Sequence, residues 1–320
     1  MPHQAPTPWS GRDDSQEAAA PERLARWHHR VQPWHPEARG GVVLIGFAVD
    51  EGVRRNQGRT GAAGGPAALR QALANLPAPA QTALWDAGDL RCDGQGLEAV
   101  QAELSATVAQ ARAQGALPLV LGGGHEVAWG TFGGLVLGDL VPQGRTPARL
   151  LVLNLDAHFD LRQASAPNSG TAFAQMHQWC QSHDRPFAYT VLGISRFANT
   201  PALFDRARAS GTRWHLDEAL QTPADWQQAQ DELDADLNAC DAVYLTVCLD
   251  VLSAAVAPGV SAPAPLGVPL PLLERVIEQV KASGKLVAAD MAELNPAFDR
   301  DHQTARVGAR LLARIAGLPL

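Results

Sequence analysis

Cysteine is scarce in this chain and widely scattered. Cys92, Cys180, Cys240 and Cys248 form no CxxC pair, which argues against a disulfide framework or a structural zinc ribbon. Positive charge is in deficit as well, with 26 Lys and Arg against 33 Asp and Glu and a net charge of −7. A general nucleic-acid binder needs a basic face, so no nucleic-acid partner is expected, and an anionic ligand has to be met by individual arginines. The first residues, MPHQAPTPWSGRDD, contain no apolar h-region and do not read as a signal peptide. The longest apolar stretch, Ala116 to Val141, is broken by His125, Glu126, Asp139 and several glycines and does not read as a membrane span. A cytoplasmic location with no membrane partner is therefore expected. The glycine-rich segment Thr60 to Gly65 has neither GxxxxGK[ST] nor GxGxxG spacing, so no nucleotide site is expected there.

With 320 residues, 46% of them apolar, the chain can build one large domain. Residues 1–38 are rich in Pro, Trp, His and charge and read as an N-terminal arm packed on the domain, with a helical turn near Pro21 to Trp27. Residues 39–320 read as a single α/β domain. Buried strands are expected at Gly41–Phe47, Leu117–Leu121, Leu150–Leu155, Phe187–Gly193, Val243–Leu249 and Lys285–Leu294, with weaker ones at Thr82–Asp86 and Thr212–His215. Helices are expected at Pro66–Leu76, Gln95–Gln114, Val127–Leu140, Thr171–Ser182, Asp225–Asn238, Leu272–Ser283 and His302–Ile315. About eight strands alternating with helices predict a three-layer α/β/α fold around a parallel sheet.

The stretch LLVLNLDAHFDLR, Leu150 to Arg162, is the centre of the pattern. An apolar run without polar alternation suits a strand covered on both faces. It ends in Asp156, His158 and Asp160, and two carboxylates with an imidazole on so few residues suit a divalent cation. Taken alone, these are equally ordinary polar residues of a strand-end loop. His125 after Gly122-Gly123-Gly124, Asp250 after Cys248-Leu249, and Glu293 before Leu294-Asn295-Pro296 also fall at predicted strand ends. In open α/β sheets ligands bind at the carboxyl ends of the strands, and four polar clusters at one edge are hard to ascribe to chance.

The segments GGGHE, DAHFD, CLD and ELNP resemble, in order and over most of the chain, the motifs of the ureohydrolase family, which includes arginase, agmatinase and formimidoylglutamase. Asp156 to Arg162, Asn168-Ser169-Gly170-Thr171, Ala257 to Pro263 and the arm residues Trp9 to Asp13 and Arg26 to His28 are most similar to the formimidoylglutamase branch of histidine degradation. The resemblance implies an arginase-like fold and a homo-oligomer with two Mn2+ per subunit. It implies hydrolysis of a small amidino acid, N-formimidoyl-L-glutamate, to L-glutamate and formamide. By resemblance His125, Asp156, Asp160 and position 248 surround one metal, and Asp156, His158, position 248 and Asp250 the other. Asp160 and Glu293 are the implied catalytic residues: Asp160 orients the water and relays its proton, and Glu293 pairs with the cationic amidine. Arg162, Asn168, Ser169 and Glu293 are the implied substrate-binding residues. Arg162 stands where arginases carry a short polar residue, and it suits a second substrate carboxylate. Arg54, Arg55, Arg59 and Arg196 are further candidate anchors. The 168–171 loop lacks the histidine of arginases and agmatinases, which counts against those two activities.

The chain departs from the family pattern at two positions. Gly124 replaces an aspartate, and Cys248 replaces the bridging aspartate. A thiolate is a soft ligand and favours zinc over manganese, so Cys248 is either a ligand in a site weaker for manganese or a buried apolar cysteine. Two other functions compete with the leading one: hydrolysis of a guanidino acid, and non-catalytic binding by a ureohydrolase-like protein.

Overall fold

The computed structural model describes residues 9–14, 17, 24–93, 96–137 and 149–318. Among these residues nine strands form one sheet: β1 (Val31–Pro33), β2 (Val42–Phe47), β3 (Leu84–Leu90), β4 (Leu117–Leu121), β5 (Leu150–Leu155), β6 (Ala188–Ile194), β7 (Arg213–Leu216), β8 (Ala242–Cys248) and β9 (Leu286–Ala292). All pairings are parallel, in the order β1-β3-β2-β4-β9-β8-β5-β6-β7. Among the described residues ten α-helices accompany them: α1 (Trp27–Arg30), α2 (Glu51–Arg55), α3 (Gly65–Ala74), α4 (Leu97–Ala113), α5 (Val127–Leu137), α6 (Ala172–Ser182), α7 (Pro201–Ala209), α8 (Pro223–Ala239), α9 (Leu270–Ala282) and α10 (Gln303–Ile315).

Side chains alternate between the faces of a strand, and the two faces carry separate cores. Leu44, Leu153 and Leu245 pack in one layer with α3, α8, α9 and α10. Val43, Val152 and Tyr244 pack in the other with α4, α5, α6 and α7. The result is the three-layer α/β/α sandwich that the alternation predicted. A fully buried leucine or valine contributes about 1.5–3 kcal/mol, so these two layers, rather than strand propensity, hold the short strands in place.

The sheet has one strand more than expected. β1 comes from the arm and pairs with β3 at the edge, and its Pro33 suits an edge position. Helices α2 and α7 were also not anticipated. Each is short and buries only two residues, Gly52 and Val53 in α2 and Leu203 and Ala207 in α7, too few to make a periodic stripe. Residues 21–23 of the expected helical turn lie outside the described residues, as do Gln95 and 138–140.

β3 runs further than the sequence suggested because its polar residues are neutralised inside the fold. Arg70 of α3 donates Nε to Asp86 Oδ2 at 2.8 Å, Nη2 to Asp86 Oδ1 at 2.9 Å and Nη1 to Asp89 Oδ1 at 2.6 Å. All three residues are buried. Trp9 Nε1 donates to Asp86 Oδ2 at 2.8 Å, which ties the arm to the same cluster.

Candidate metal centre

The four central strands, β4, β9, β8 and β5, all end at the same edge of the sheet, and each end delivers part of one cluster. β4 leads through Gly122-Gly123-Gly124 to His125. β5 leads to Asp156, His158 and Asp160. β8 ends at Cys248, and a 3-10 turn at Leu249–Val251 carries Asp250. β9 leads to Glu293. The glycines allow three backbones to meet here. Gly124 N donates to Val49 O at 3.0 Å and Glu293 N donates to Gly123 O at 2.8 Å, while a Cβ on Gly123 would stand 1.8 Å from Val49 O.

The loop after β5 is bent so that its side chains converge. His158 N donates to Asp156 Oδ1 at 2.7 Å, and Asp160 takes the left-handed region at φ 48°. Asn199 clamps the loop from outside: its Nδ2 donates to Ala157 O at 2.8 Å and Ser195 O at 2.9 Å, and its Oδ1 accepts from Phe159 N at 3.1 Å. Glu293 is also left-handed, at φ 70°. Non-glycine residues seldom adopt this region except where the surroundings over-determine them, often at functional sites.

His125 Nδ1 lies 2.9 Å from Asp156 Oδ2 and 3.0 Å from Asp160 Oδ2. His158 Nδ1 lies 3.4 Å from Asp156 Oδ1 and 3.1 Å from Asp250 Oδ2. Two triads of donor atoms, each within 4.8 Å of one another, share Asp156: His125, Asp156 and Cys248, and Asp156, His158 and Asp250. Thus all six residues expected around metal are brought together, with Asp160 joined to the first triad through His125. Glu293 Oε1 accepts from His125 N at 3.0 Å.

The charges of this cluster are unbalanced. Burial pushes the Asp160 and Asp250 carboxyls up, and repulsion from Asp156 adds to it. Burial also opposes ionisation of Asp156, but His125 and His158 hold its carboxyl well below the usual range. The Cys248 thiol is raised well above its usual range by burial and then by Asp156, Asp250 and Glu293. Glu293 is pushed up to about 8 by burial, with Glu126 and Asp250 adding to it. Among the described residues no lysine or arginine forms an ion pair with Asp156, Asp160 or Asp250, which pair with histidines alone. Among the described residues, Asp250 Oδ1 and Glu293 Oε2 are buried without a hydrogen-bond partner, and His125 Nδ1 faces only the Asp156 and Asp160 carboxylates. Buried carboxylates require paired charge or a coordinated metal. The donor set therefore fits divalent cations, with oxygen and imidazole ligands predominating and one sulfur.

The cluster floors a cleft of about 170 Å3 whose walls include Asn56, Arg162, Ser169, Ser261 and Glu293. Of the residues expected to bind substrate, Arg162, Ser169 and Glu293 line it. Asn168 does not: its Oδ1 accepts from Gly170 N at 3.0 Å and braces the loop. Arg162 N donates to Gly170 O at 2.8 Å, while its guanidinium is exposed and has no ion pair among the described residues. The other four arginines are engaged elsewhere. Arg54 and Arg55 pair with Glu51, and Arg55 also with Glu98. Arg59 donates Nε to Ser261 O at 2.8 Å, and Arg196 pairs with Glu218. A larger groove, about 680 Å3, is walled by the 161–167 loop, Arg162 included, with α6 and the end of α7, but its walls contain none of the six clustered residues, so the chemistry belongs to the smaller cleft.

Sequence reasoning assigned no role to Asn56 or to Ser261, although Ser261 lies within the 257–263 segment that carries the resemblance. Asn56 Nδ2 donates to Ser169 Oγ at 3.1 Å. It also missed Asn199, and Asn154, whose Nδ2 donates to Asp156 Oδ2 at 3.1 Å. A polar residue inside an apolar strand run was the available signal for Asn154.

The Arginase family model matches residues 40–317. Formimidoylglutamase of Ralstonia nicotianae is 50% identical over 321 residues, covering 97% of this chain and 94% of the relative. The solved formimidoylglutamase of Bacillus subtilis superposes with a TM-score of 0.78 at 19% identity, covering 95% of this chain and 96% of that one. Trypanosoma cruzi formiminoglutamase, solved with Mn2+, superposes with a TM-score of 0.74 at 24% identity, covering 87% of this chain and 92% of that one.

Proposed function

The chain belongs to the arginase family, and on that premise we propose that it is a hydrolase converting N-formimidoyl-L-glutamate and water to L-glutamate and formamide, a step of histidine degradation. Relatives that carry this activity by name match at about half identity over nearly the full chain. The observation that carries the reading is the pair of donor triads sharing Asp156, set at the floor of a cleft with the exposed Arg162 on its wall. His125, Asp156, Asp160 and Cys248 would hold one Mn2+, and Asp156, His158, Cys248 and Asp250 the second. Bound there, two divalent cations lower the pKa of a water and offset negative charge developing on the substrate.

The remaining roles fall to side chains. Glu293 receives the cationic amidine as a charge-assisted pair and presents its carbon to the cluster. Water adds to that carbon, the bond to the glutamate nitrogen breaks, and the oxygen stays with the carbon as formamide. Asp160, beside His125 and at the cleft, takes the water's proton and returns it to the leaving nitrogen. Arg162 pairs with a substrate carboxylate, with the Ser169 hydroxyl beside it, while Asn168 keeps the 168–171 loop in shape. The reading includes a cytoplasmic enzyme, assembled as a homo-oligomer, with a small amidino acid as its partner rather than nucleic acid or membrane. It also treats residues 39–320 as one catalytic domain and 1–38 as its arm.

The test is turnover of N-formimidoyl-L-glutamate beside an amidine lacking the side-chain carboxylate, in wild type and Arg162→Ala. A charge-assisted hydrogen bond is worth about 1.5–3 kcal/mol, so kcat/KM for the diacid is expected to fall roughly 10- to 100-fold in the variant. The monoacid should change little. Equal losses on both substrates would remove Arg162 as the carboxylate anchor.

A further inference from the structure

Asn56 closes helix α2 and stands on the wall of the cleft, yet the chemistry above gives it no role. Its position is fixed from two sides. Its backbone N donates to Gly52 O at 2.9 Å, and Gly52 N in turn donates to the buried Glu126 Oε1 at 2.8 Å. Beside it, Arg55 Nη1 donates to Pro167 O at 3.0 Å. The short helix is thus tied both to Glu126, which follows His125, and to the loop after Arg162. Asn56 is half-buried and reaches that loop itself: its Nδ2 donates to Ser169 Oγ at 3.1 Å. Gly170 lets a third side chain join them. A Cβ at 170 would stand 2.7 Å from Arg162 Cδ, 3.1 Å from Arg162 Nε and 3.2 Å from Asn56 Nδ2. The amide of Asn56 and the guanidinium of Arg162 therefore gather around one point, with the Ser169 hydroxyl beside them.

Resting on the function proposed above, we infer that Asn56 is a specificity-determining residue: with Arg162 and Ser169 it completes the site for the substrate's side-chain carboxylate. A side-chain amide nitrogen carries two hydrogens, and a hydroxyl has one hydrogen and two acceptor lone pairs. One hydrogen of Asn56 Nδ2 goes to Ser169 Oγ, and the other is left for a ligand. Because Ser169 Oγ accepts from Asn56, the hydroxyl keeps its own proton for a second acceptor. Guanidinium, amide and hydroxyl then all donate. An ionised carboxylate accepts hydrogen bonds only, so a wall of donors carrying one positive charge selects it over a neutral or apolar group. Asn56 contributes twice, by its own hydrogen and by turning the Ser169 proton toward the ligand.

The experiment compares kcat and KM of the full chain, supplied with Mn2+, on N-formimidoyl-L-glutamate and on N-formimidoyl-L-alanine, which lacks the side-chain carboxylate. Asn56→Ala is expected to raise KM for the diacid by roughly 10-fold, the loss of a hydrogen bond to a charged group. Asn56→Asp puts a like charge in the same place and is expected to raise it by roughly 100-fold. A loss of binding shared by ground and transition state leaves kcat alone, so kcat on both substrates, and KM for the alanine compound, stay within about threefold of wild type. Gly170→Ala keeps both side chains but pushes them apart, and it is expected to raise KM for the diacid alone by about tenfold. Uptake of Mn2+, followed by the electron paramagnetic resonance signal of the free ion, stays at the wild-type level in all three variants. Wild-type KM for the diacid in Asn56→Asp, equal changes on both substrates, or a fall in kcat or Mn2+ uptake in place of the rise in KM would each overturn the inference. If the Asn56 variants do not stay folded, Gly170→Ala decides it on the same terms. A wild-type chain that binds Mn2+ yet does not turn over N-formimidoyl-L-glutamate overturns the proposed function itself, and this inference with it.

Discussion

A Cβ at position 124 would stand 2.1 Å from Glu126 Oε2 and 2.4 Å from Val53 Cγ2. The residue that departs from the family pattern is thus matched to its neighbour: the Glu126 carboxylate fills the space a side chain would take, and its Oε1 accepts from Gly52 N at 2.8 Å. Gly124→Ala is expected to destabilise the chain by about 1–3 kcal/mol, as overpacking does, measured by urea unfolding; unchanged stability would mean that Glu126 swings aside freely. Cys248 poses the opposite case, since its sulfur stands among the donors of the first triad. Cys248→Asp replaces a soft ligand with a hard one and is expected to bind Mn2+ tighter by about tenfold or more, which is about 1.4 kcal/mol. Equal affinity in a titration of both proteins would sink that idea. Position 168 shows where residue-level reading stopped. Asparagine in a polar loop suggests a substrate contact, but its Oδ1 is spent on Gly170 N, a local turn that residue type alone does not distinguish from a binding role.

Among the secondary-structure elements, the strands that escaped clear reading were those whose polarity is neutralised from a distance. Asp86, Gly88 and Asp89 look like a break, and Arg70, on a preceding helix, bonds all three within β3. The helices that read well have a full apolar stripe. α10 buries Ala305, Ala309 and Leu312 on one side, and α9 buries Leu273, Val276, Ile277 and Val280. These two are joined by Glu274, whose carboxylate accepts from Arg310 Nε at 2.7 Å and Arg314 Nε at 3.2 Å. Burial would raise the Glu274 carboxyl, but the two arginines hold it below its ordinary value. A lowered folded pKa stabilises the fold above the unfolded pKa, and the gain disappears as pH falls through the folded one. Glu274→Gln is therefore expected to cost on the order of 1.5 kcal/mol at pH 7 and progressively less below about pH 4. A difference in melting temperature that stays constant with pH would contradict the pairing.

Across the whole molecule, what the sequence could not show is strand order. Each of the four polar clusters was visible as charged residues closing an apolar run, and that sufficed to place them at one edge of a parallel sheet. β4 and β5 are neighbours in sequence, yet β9 and β8 lie between them in the sheet. That late insertion makes β4, β9, β8 and β5 contiguous and brings His125 to Asp156, Cys248 to both, and Glu293 above them. A cluster with three acidic residues and two histidines around shared ligand positions, and no lysine or arginine paired with those acids among the described residues, is built to be completed by cations.

The most direct test is to strip the protein with a chelator and follow release of formamide and glutamate from N-formimidoyl-L-glutamate as Mn2+ is added back. The expected result is no turnover in the stripped protein and recovery that levels off near two equivalents per chain. Turnover that is the same before and after metal removal would contradict the metal centre as the seat of the chemistry.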